Sequence, residues 1–274
     1  MLRKLLQMAQ NRMAAPTPLT VPIDLTLRAL TGELHLPPLW LRDVGPTDFA
    51  ATGREFLELF IRLVDLRPDE QVLEIGCGCG RIALPLTGYL QPPGGYTGMD
   101  VVARAVAWCQ QHISPRFPHF RFIHMDLFNQ RYNPAGQLLS REYVFPFEAS
   151  RFDFIFLTSV FTHMLPDDVN HYMEEISRLL KPGGRALITA FLLNETQQKL
   201  AQAGQCDIDF RFDVGGCFVR DRQLPEAAVA YEEPVFMEML TRAGLKLRQS
   251  VAYGSWSGRG DGVSYQDILV VERR

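Results

Sequence analysis

The chain has 274 residues, 47% of them hydrophobic and 22% charged, which is enough to bury one sizeable core. Its 28 basic and 31 acidic residues leave a net charge of −3. The broad positive field used to bind duplex nucleic acids is missing, and no nucleic-acid partner is expected. No apolar run approaches the ~20 residues that span a bilayer, and five cysteines in so long a chain read as reduced thiols of a cytoplasmic protein.

The first residues, MLRKLLQMAQNRMAAP, have too short and too interrupted an apolar run for a secretory signal and read as an amphipathic helical arm. Residues 1–48 are taken as an N-terminal helical or extended arm, and 49–274 as the main domain. From Phe56 onward short apolar, β-rich runs alternate with helical patterns. Strands are predicted at Gln71–Ile75, Tyr96–Met99, Phe120–His124, Phe152–Leu157 and Arg185–Phe191. Helices are predicted at Ile82–Leu90, Ala103–Ile113 and Asp168–Leu180. This alternation predicts a parallel sheet with helices on both faces. In LLKPGGRALITAF, Lys181 sits at a helix end, Pro182 stops the helix, and Gly183-Gly184 turn the chain into a buried strand.

The tail adds a helix at Val235–Ala243 and two apolar runs, LKLRQSVAY and SYQDILVVE, joined by GSWSGRGDG. Together these predict an antiparallel hairpin at the sheet edge. Two segments break the alternation, Asn129–Ser150 and Asn194–Glu233, and loops this long in a compact domain are lids or binding insertions. The second holds RFDVGGCFVRD, which suits a small ribbon bent at Gly215-Gly216. It is expected to cap the carboxyl ends of the strands and select the substrate there.

The stretch LEIGCGCGR offers either a thiol pair or a glycine loop. Cys77 and Cys79 have no second Cys or His pair at zinc-like spacing, and one residue between them is not the two of a redox pair. Gly76, Gly78 and Gly80 alternate between a buried strand and a helix, which lets backbone turn tightly and approach a ligand. Asp100 follows roughly 20 residues later at a strand end, where an acid can bind ribose hydroxyls. A nucleoside cofactor fits. The spacing is G-x-G-x-G, not the dinucleotide G-x-G-x-x-G, and Glu74 precedes the first glycine by two residues. An acid there repels a pyrophosphate and suits a cationic ligand, with a nicotinamide cofactor as the remaining alternative.

VLEIGCGCGR resembles the first motif of the class I S-adenosylmethionine-dependent methyltransferases, and GMD and HMDLF resemble their next two. FDFIFLTSVFTHML and LLKPGGRALITAF resemble the fourth strand, the helix after it and the fifth strand. The resemblance covers Phe56–Phe191 and the terminal hairpin. It implies a Rossmann-like α/β fold: a seven-stranded, mostly parallel sheet with helices on both faces, an antiparallel C-terminal strand and a cap insertion. It also implies S-adenosylmethionine as cofactor, wrapped by Gly76, Cys77, Gly78 and Gly80. Glu74 then lies close to the methionine amine, Asp100 on the ribose hydroxyls, Asp126 and the Leu127 backbone at the adenine, and Thr158 near the methionine moiety. Cys77 and Cys79 become small loop fillers.

Methyl transfer from a sulfonium is an in-line displacement in which the protein aligns the reactants and excludes water. For a hydroxyl acceptor a base helps, and His163, after strand four, is the candidate; the alternative is a capping or packing histidine. His124 reads as a satisfied core residue, and Asp167 and Asp168 as helix caps. The metal-dependent O-methyltransferases of this fold place an acid where this chain reads Leu157-Thr158-Ser159, so no metal is expected. The Asn-Pro-Pro-aromatic signature of adenine and amide N-methyltransferases is also absent. Tyr231, Trp256 and Arg259 are the candidate acceptor contacts. SVFTHML, YNPAG and SWSGR…SYQDILVV are similar to bacterial methyltransferases acting on cell-surface glycans or secondary metabolites. That likeness implies a small-molecule acceptor and O-methylation of a sugar or secondary-metabolite hydroxyl. The alternatives are methylation of protein or RNA, or a regulatory protein that binds the cofactor without catalysis.

Overall fold

The computed structural model describes residues 16–42 and 48–274, so the arm helix expected at the very start lies outside the described residues. Helix α1 (Thr20–Thr31) precedes α2 (Phe49–Val64), whose first turn is capped by Asp48 Oδ1 accepting from Ala51 N at 2.9 Å. Then follow β1 (Gln71–Ile75), α3 (Ala83–Leu86), β2 (Gly95–Asp100), α4 (Ala103–His112), β3 (Phe120–His124) and β4 (Phe152–Leu157). The second half holds α5 (Pro166–Leu179), β5 (Leu180–Ala190), β6 (Leu192–Leu193), α6 (Glu195–Gln202), β7 (Phe212–Asp213) and β8 (Phe218–Val219). It ends with β9 (Val229–Glu232), α7 (Glu233–Arg242), β10 (Leu245–Leu247) and β11 (Asp267–Arg273).

Seven strands make one sheet in the order β10-β11-β5-β4-β1-β2-β3, in which only β11 runs against the others. The fold is the Rossmann-like one expected. Alternation along the strands supplies both cores. Phe154 and Phe156 face α2, with the Phe60 ring 5.0 and 4.5 Å from theirs, while Ile155 and Leu157 face the opposite core with α5 and α7. A second, small sheet in the order β6-β9-β8-β7 is built by residues 192–232, and its β7–β8 ribbon turns through Gly215 and Gly216, both at positive φ.

Four local expectations need correction. Helix α3 is only four residues long, because the chain tightens into i→i+3 bonds at Thr87 and Gly88. Strand β5 begins at Leu180, not Arg185: Leu180 already pairs with Phe152, and the register then shifts across Lys181–Gly184. The helix thus ends before Lys181, and that side chain bridges to Asp153 at 2.7 Å. The hairpin is shorter than its sequence, since β10 pairs for three residues and the rest of LKLRQSVAY keeps an isolated bridge at Ala252 and Ile268. His124 is exposed, with its Nε2 3.2 Å from Val101 O, and is no core residue.

Candidate active site

The carboxyl ends of β1, β2, β4 and β5 converge on the glycine loop. Gly76 N and Cys77 N both donate to Met99 O, at 2.7 and 3.0 Å, which curls the loop over the end of β2. Gly76 has φ 84°, and a Cβ there would sit 2.5 Å from Val160 Cγ2, so glycine is required by both strain and contact. Gly78 has φ 51° and nothing within 4 Å of its notional Cβ, so open space lies beside exposed backbone.

Asp100 holds this loop in place. Its Oδ2 accepts from Gly78 N at 2.6 Å and its Oδ1 from Val102 N at 2.8 Å. A carboxylate has about four acceptor directions, so these two bonds leave room for a hydroxyl. Burial raises the Asp100 pKa above the ordinary range, against the pull of those amides. Glu74 is fully buried under the loop, where desolvation pushes it up to about 8 despite a hydrogen bond from the Tyr96 hydroxyl and the nearby Arg81 charge. Burial likewise pushes the Cys79 thiol up to about 12 and the Cys77 thiol well above its ordinary value. Both are neutral packing groups, and among the described residues no cluster of His, Cys, Asp and Glu suits a metal. Leu36 and Phe49 pack with Cys79 and Ala105, so the segment before α2 supports the loop from outside.

Past β4, Thr158 is buried and Ser159 adopts the left-handed region at φ 59°. Ser159 N donates to Thr189 Oγ1 at 2.8 Å, and both hydroxyls donate to Gln266 Oε1, from Thr189 at 2.6 Å and from Ser159 at 3.2 Å. Sequence reasoning missed Ser159, Thr189 and Gln266. The signal available was the pairing of the last strand with the fifth, which brings Gln266 to this edge.

His163 lies on a 3-10 turn (Phe161–His163) that precedes α5. Its Nδ1 is 2.8 Å from Glu226 O; a carbonyl can only accept, so Nδ1 carries the hydrogen. The Tyr132 ring meets the imidazole edge-on at 5.6 Å. Glu226 Oε2 accepts from Asn129 Nδ2 at 3.0 Å and Gln130 N at 3.2 Å. The two irregular segments therefore meet beside His163. Asp126 is exposed, and its carbonyl accepts from Gln137 N and Leu138 N, while Leu127 is buried. Asp167 and Asp168 sit in the first turn of α5, after Pro166, without a side-chain cap.

Two of the three expected acceptor contacts lie in the core instead. Tyr231 has no exposed surface and its hydroxyl donates to Met164 O at 2.6 Å. Trp256 is equally buried, and its Nε1 donates to Asp267 Oδ2 at 2.9 Å. Neither has surface left for a ligand, and each commits its donor to the core. Arg259 lies over the Tyr253 ring at 4.2 Å and donates to Asn194 Oδ1 at 3.1 Å, at the root of the 194–233 insertion.

The family described as a methyltransferase domain matches residues 72–184, the stretch from β1 into β5. Residues 72–184 thus carry a methyltransferase domain, as the resemblance to the class I S-adenosylmethionine-dependent methyltransferases implies. S-adenosylmethionine is its cofactor. The loop fits that cofactor: a nucleoside and an amino acid can lie over Gly78, and Asp100 retains acceptor capacity toward hydroxyls. Glu74 supplies a carboxylate that a nearby cation would ionise. When bound, the cofactor supplies an activated methyl on a sulfonium.

The PH0226 protein from Pyrococcus horikoshii OT3 shares the fold at a TM-score of 0.57 and 16% identity, over 85% of this chain and 95% of that one. Among curated proteins, the chain is 26% identical over 189 residues to the tRNA N(3)-cytidine methyltransferase METTL2 of Gallus gallus, covering 66% of this chain and 44% of that protein. It is 28% identical over 139 residues to METTL2B of Homo sapiens, covering 50% and 33%. The chain spans less than half the length of these relatives. The expectation of a small-molecule acceptor without nucleic acid is thereby corrected, because these relatives are named for tRNA. A net charge averages the whole surface and says little about a site mouth. Among the described residues no helix is long and apolar enough to cross a membrane.

Proposed function

We propose that this methyltransferase transfers the methyl group to a ring nitrogen of a cytidine in RNA. The observation that carries the reading is its similarity to tRNA N(3)-cytidine methyltransferases across the cofactor domain.

The chemistry of the site suits that acceptor. A neutral cytosine ring nitrogen already has an in-plane lone pair, so the displacement requires alignment and exclusion of water but no general base. His163, with Nδ1–H committed to Glu226 O, then serves as a tie between the β4 exit and the cap. Residues 194–233 act as that cap, closing the carboxyl edge of the sheet through Glu226.

Three arginine–aromatic pairs around this edge support docking of a nucleic acid: Arg131 with Tyr132 at 4.9 Å, Arg222 with Phe212 at 5.0 Å and Arg259 with Tyr253. All three rings are partly exposed, and such pairs accept stacked bases and phosphates together. The test is methyl transfer from labelled S-adenosylmethionine to total tRNA, followed by nucleoside digestion and mass spectrometry. A methylated cytidine is expected. Absence of label from RNA at enzyme concentrations that saturate with cofactor would reject the reading.

A further inference from the structure

We propose that the Gln266 side-chain amide contacts the acceptor base, donating from Nε2 to the carbonyl oxygen next to the methylated ring nitrogen. The inference rests on the RNA reading and assigns a specificity contact to that same site.

Position comes first. Asp267 of β11 pairs with Ala190 at the end of β5, so Gln266 stands just past the carboxyl edge of the sheet. It is bonded to Ser159, whose neighbour Val160 lies against Gly76 of the cofactor loop. Gln266 therefore belongs to the wall of the cleft on the side away from β2 and its Asp100.

Orientation follows from the hydrogen-bond inventory. Thr189 Oγ1 accepts from Ser159 N, and its own hydrogen needs an acceptor, which Gln266 Oε1 provides. The reversed amide would leave that hydroxyl hydrogen without one. With Oε1 engaged by two hydroxyls, Nε2 makes no hydrogen bond among the described residues, and the side chain is only half-buried. The amide thus presents two donors and no free acceptor. Ser159 stays left-handed to complete this arrangement, a conformation that is strained for a non-glycine residue. Such strain is retained where the surrounding structure requires it, commonly at functional sites.

A pair of donors selects a carbonyl oxygen or an unprotonated ring nitrogen. Cytosine carries one carbonyl, beside the ring nitrogen to be methylated. A bond from Nε2 to that oxygen lies in the base plane and turns the neighbouring lone pair toward the methyl group.

Two substitutions separate this role from simple support of the Ser159 turn. Gln266→Leu removes donor and acceptor. Gln266→Glu keeps an oxygen for Thr189 and Ser159 but replaces the donor with an acceptor. Both variants are expected to bind S-adenosylhomocysteine in calorimetry within about twofold of the parent. Both are expected to lose tenfold or more in kcat/KM for tRNA, as the loss of one oriented hydrogen bond implies, roughly. If Gln266→Glu methylates tRNA at the parental rate, the donor is not used and the contact is wrong. If both variants lose cofactor affinity in parallel with activity, Gln266 only supports the turn and the proposal falls. A parent that labels no RNA would overturn the acceptor reading, and this contact with it, in a way neither variant can mimic.

Discussion

Glu74 offers a direct reading of cofactor binding through a proton. Burial lifts it from an ordinary 4.5 to about 8, so at pH 7 it holds roughly 0.9 of a proton in the free protein. A cation bound close to it favours the carboxylate, and if the pKa falls well below 7, most of that proton is released on binding. Calorimetric titration of S-adenosylmethionine in buffers of different ionisation enthalpy measures the number released. The expected slope is between about 0.5 and 0.9 proton for the parent, beyond any contribution from the ligand's own amine. Glu74→Gln removes the ionisable group and isolates that ligand contribution. The same group shapes stability: its folded pKa is raised, so its contribution is fully present below about 4.5 and is lost as the pH rises through about 8. The interval corresponds to roughly 5 kcal/mol at most. Denaturant unfolding of Glu74→Gln should therefore fall less steeply between pH 5 and 8 than that of the parent. Equal proton release by parent and variant would refute both the location of the cation and the protonation of Glu74.

Asp100→Ala should do more than weaken cofactor binding. It leaves Gly78 N and Val102 N without their acceptor, a cost of about 2–6 kcal/mol in urea unfolding, and Asp100→Asn should recover about half of it. An Asp100→Ala protein as stable as the parent would remove Asp100 as the anchor of the loop. At the opposite end of the sheet, Arg185 is paired with Glu70 at 2.7 Å and donates to Val64 O, Asp65 O and Asp153 O, beside a cleft of about 350 Å3. Arg185→Met should cost about 3–5 kcal/mol because it takes the buried partner from Glu70 and leaves only the exposed Arg67 at 3.4 Å, with cofactor affinity unchanged in the protein that remains folded. Coincident denaturation midpoints would show that this pair contributes nothing.

The parts of the fold legible from sequence are those whose signals are local. Strands β1, β3 and β4 were bounded to the residue, since each is a short apolar run closed by a turn or a charged segment. Strand β5 was misplaced because its start is fixed by Phe152 across the sheet and by a register shift, neither of which a linear pattern records. Trp256 reads as a loop residue in GSWSGRGDG, yet Asp267 draws its indole nitrogen inward and also accepts from Gly254 N and Leu192 N. A buried acid that organises three donors is invisible until the chain is folded. Glu74 was legible as an acid near a cation. That it is protonated in the free protein depends on burial in the folded chain, which outweighs the opposing hydrogen bond from Tyr96.

The acceptor was misread for a related reason. The residues proposed to meet it belong to segments far apart in the chain: Arg131 and Tyr132 after β3, Phe212 and Arg222 in the 194–233 insertion, Tyr253 and Arg259 before β11. Each arginine is unremarkable alone, and together they vanish into a net charge of −3. On the proposed reading, affinity for a polyanion is set by the few charges nearest to it, since others are screened beyond about 10 Å. The search for a base was also framed by an assumed hydroxyl. A ring nitrogen needs none, and on that chemistry the arrangement around His163 becomes intelligible: Glu226 O fixes the imidazole, Tyr132 packs against it, and Glu226 Oε2 holds the loop that carries Tyr132. Those bonds join residues 194–233 to the loop after β3 and to the turn after β4. On the proposed reading the site acts by placement, with the donor already activated and the acceptor held in the plane that its lone pair requires.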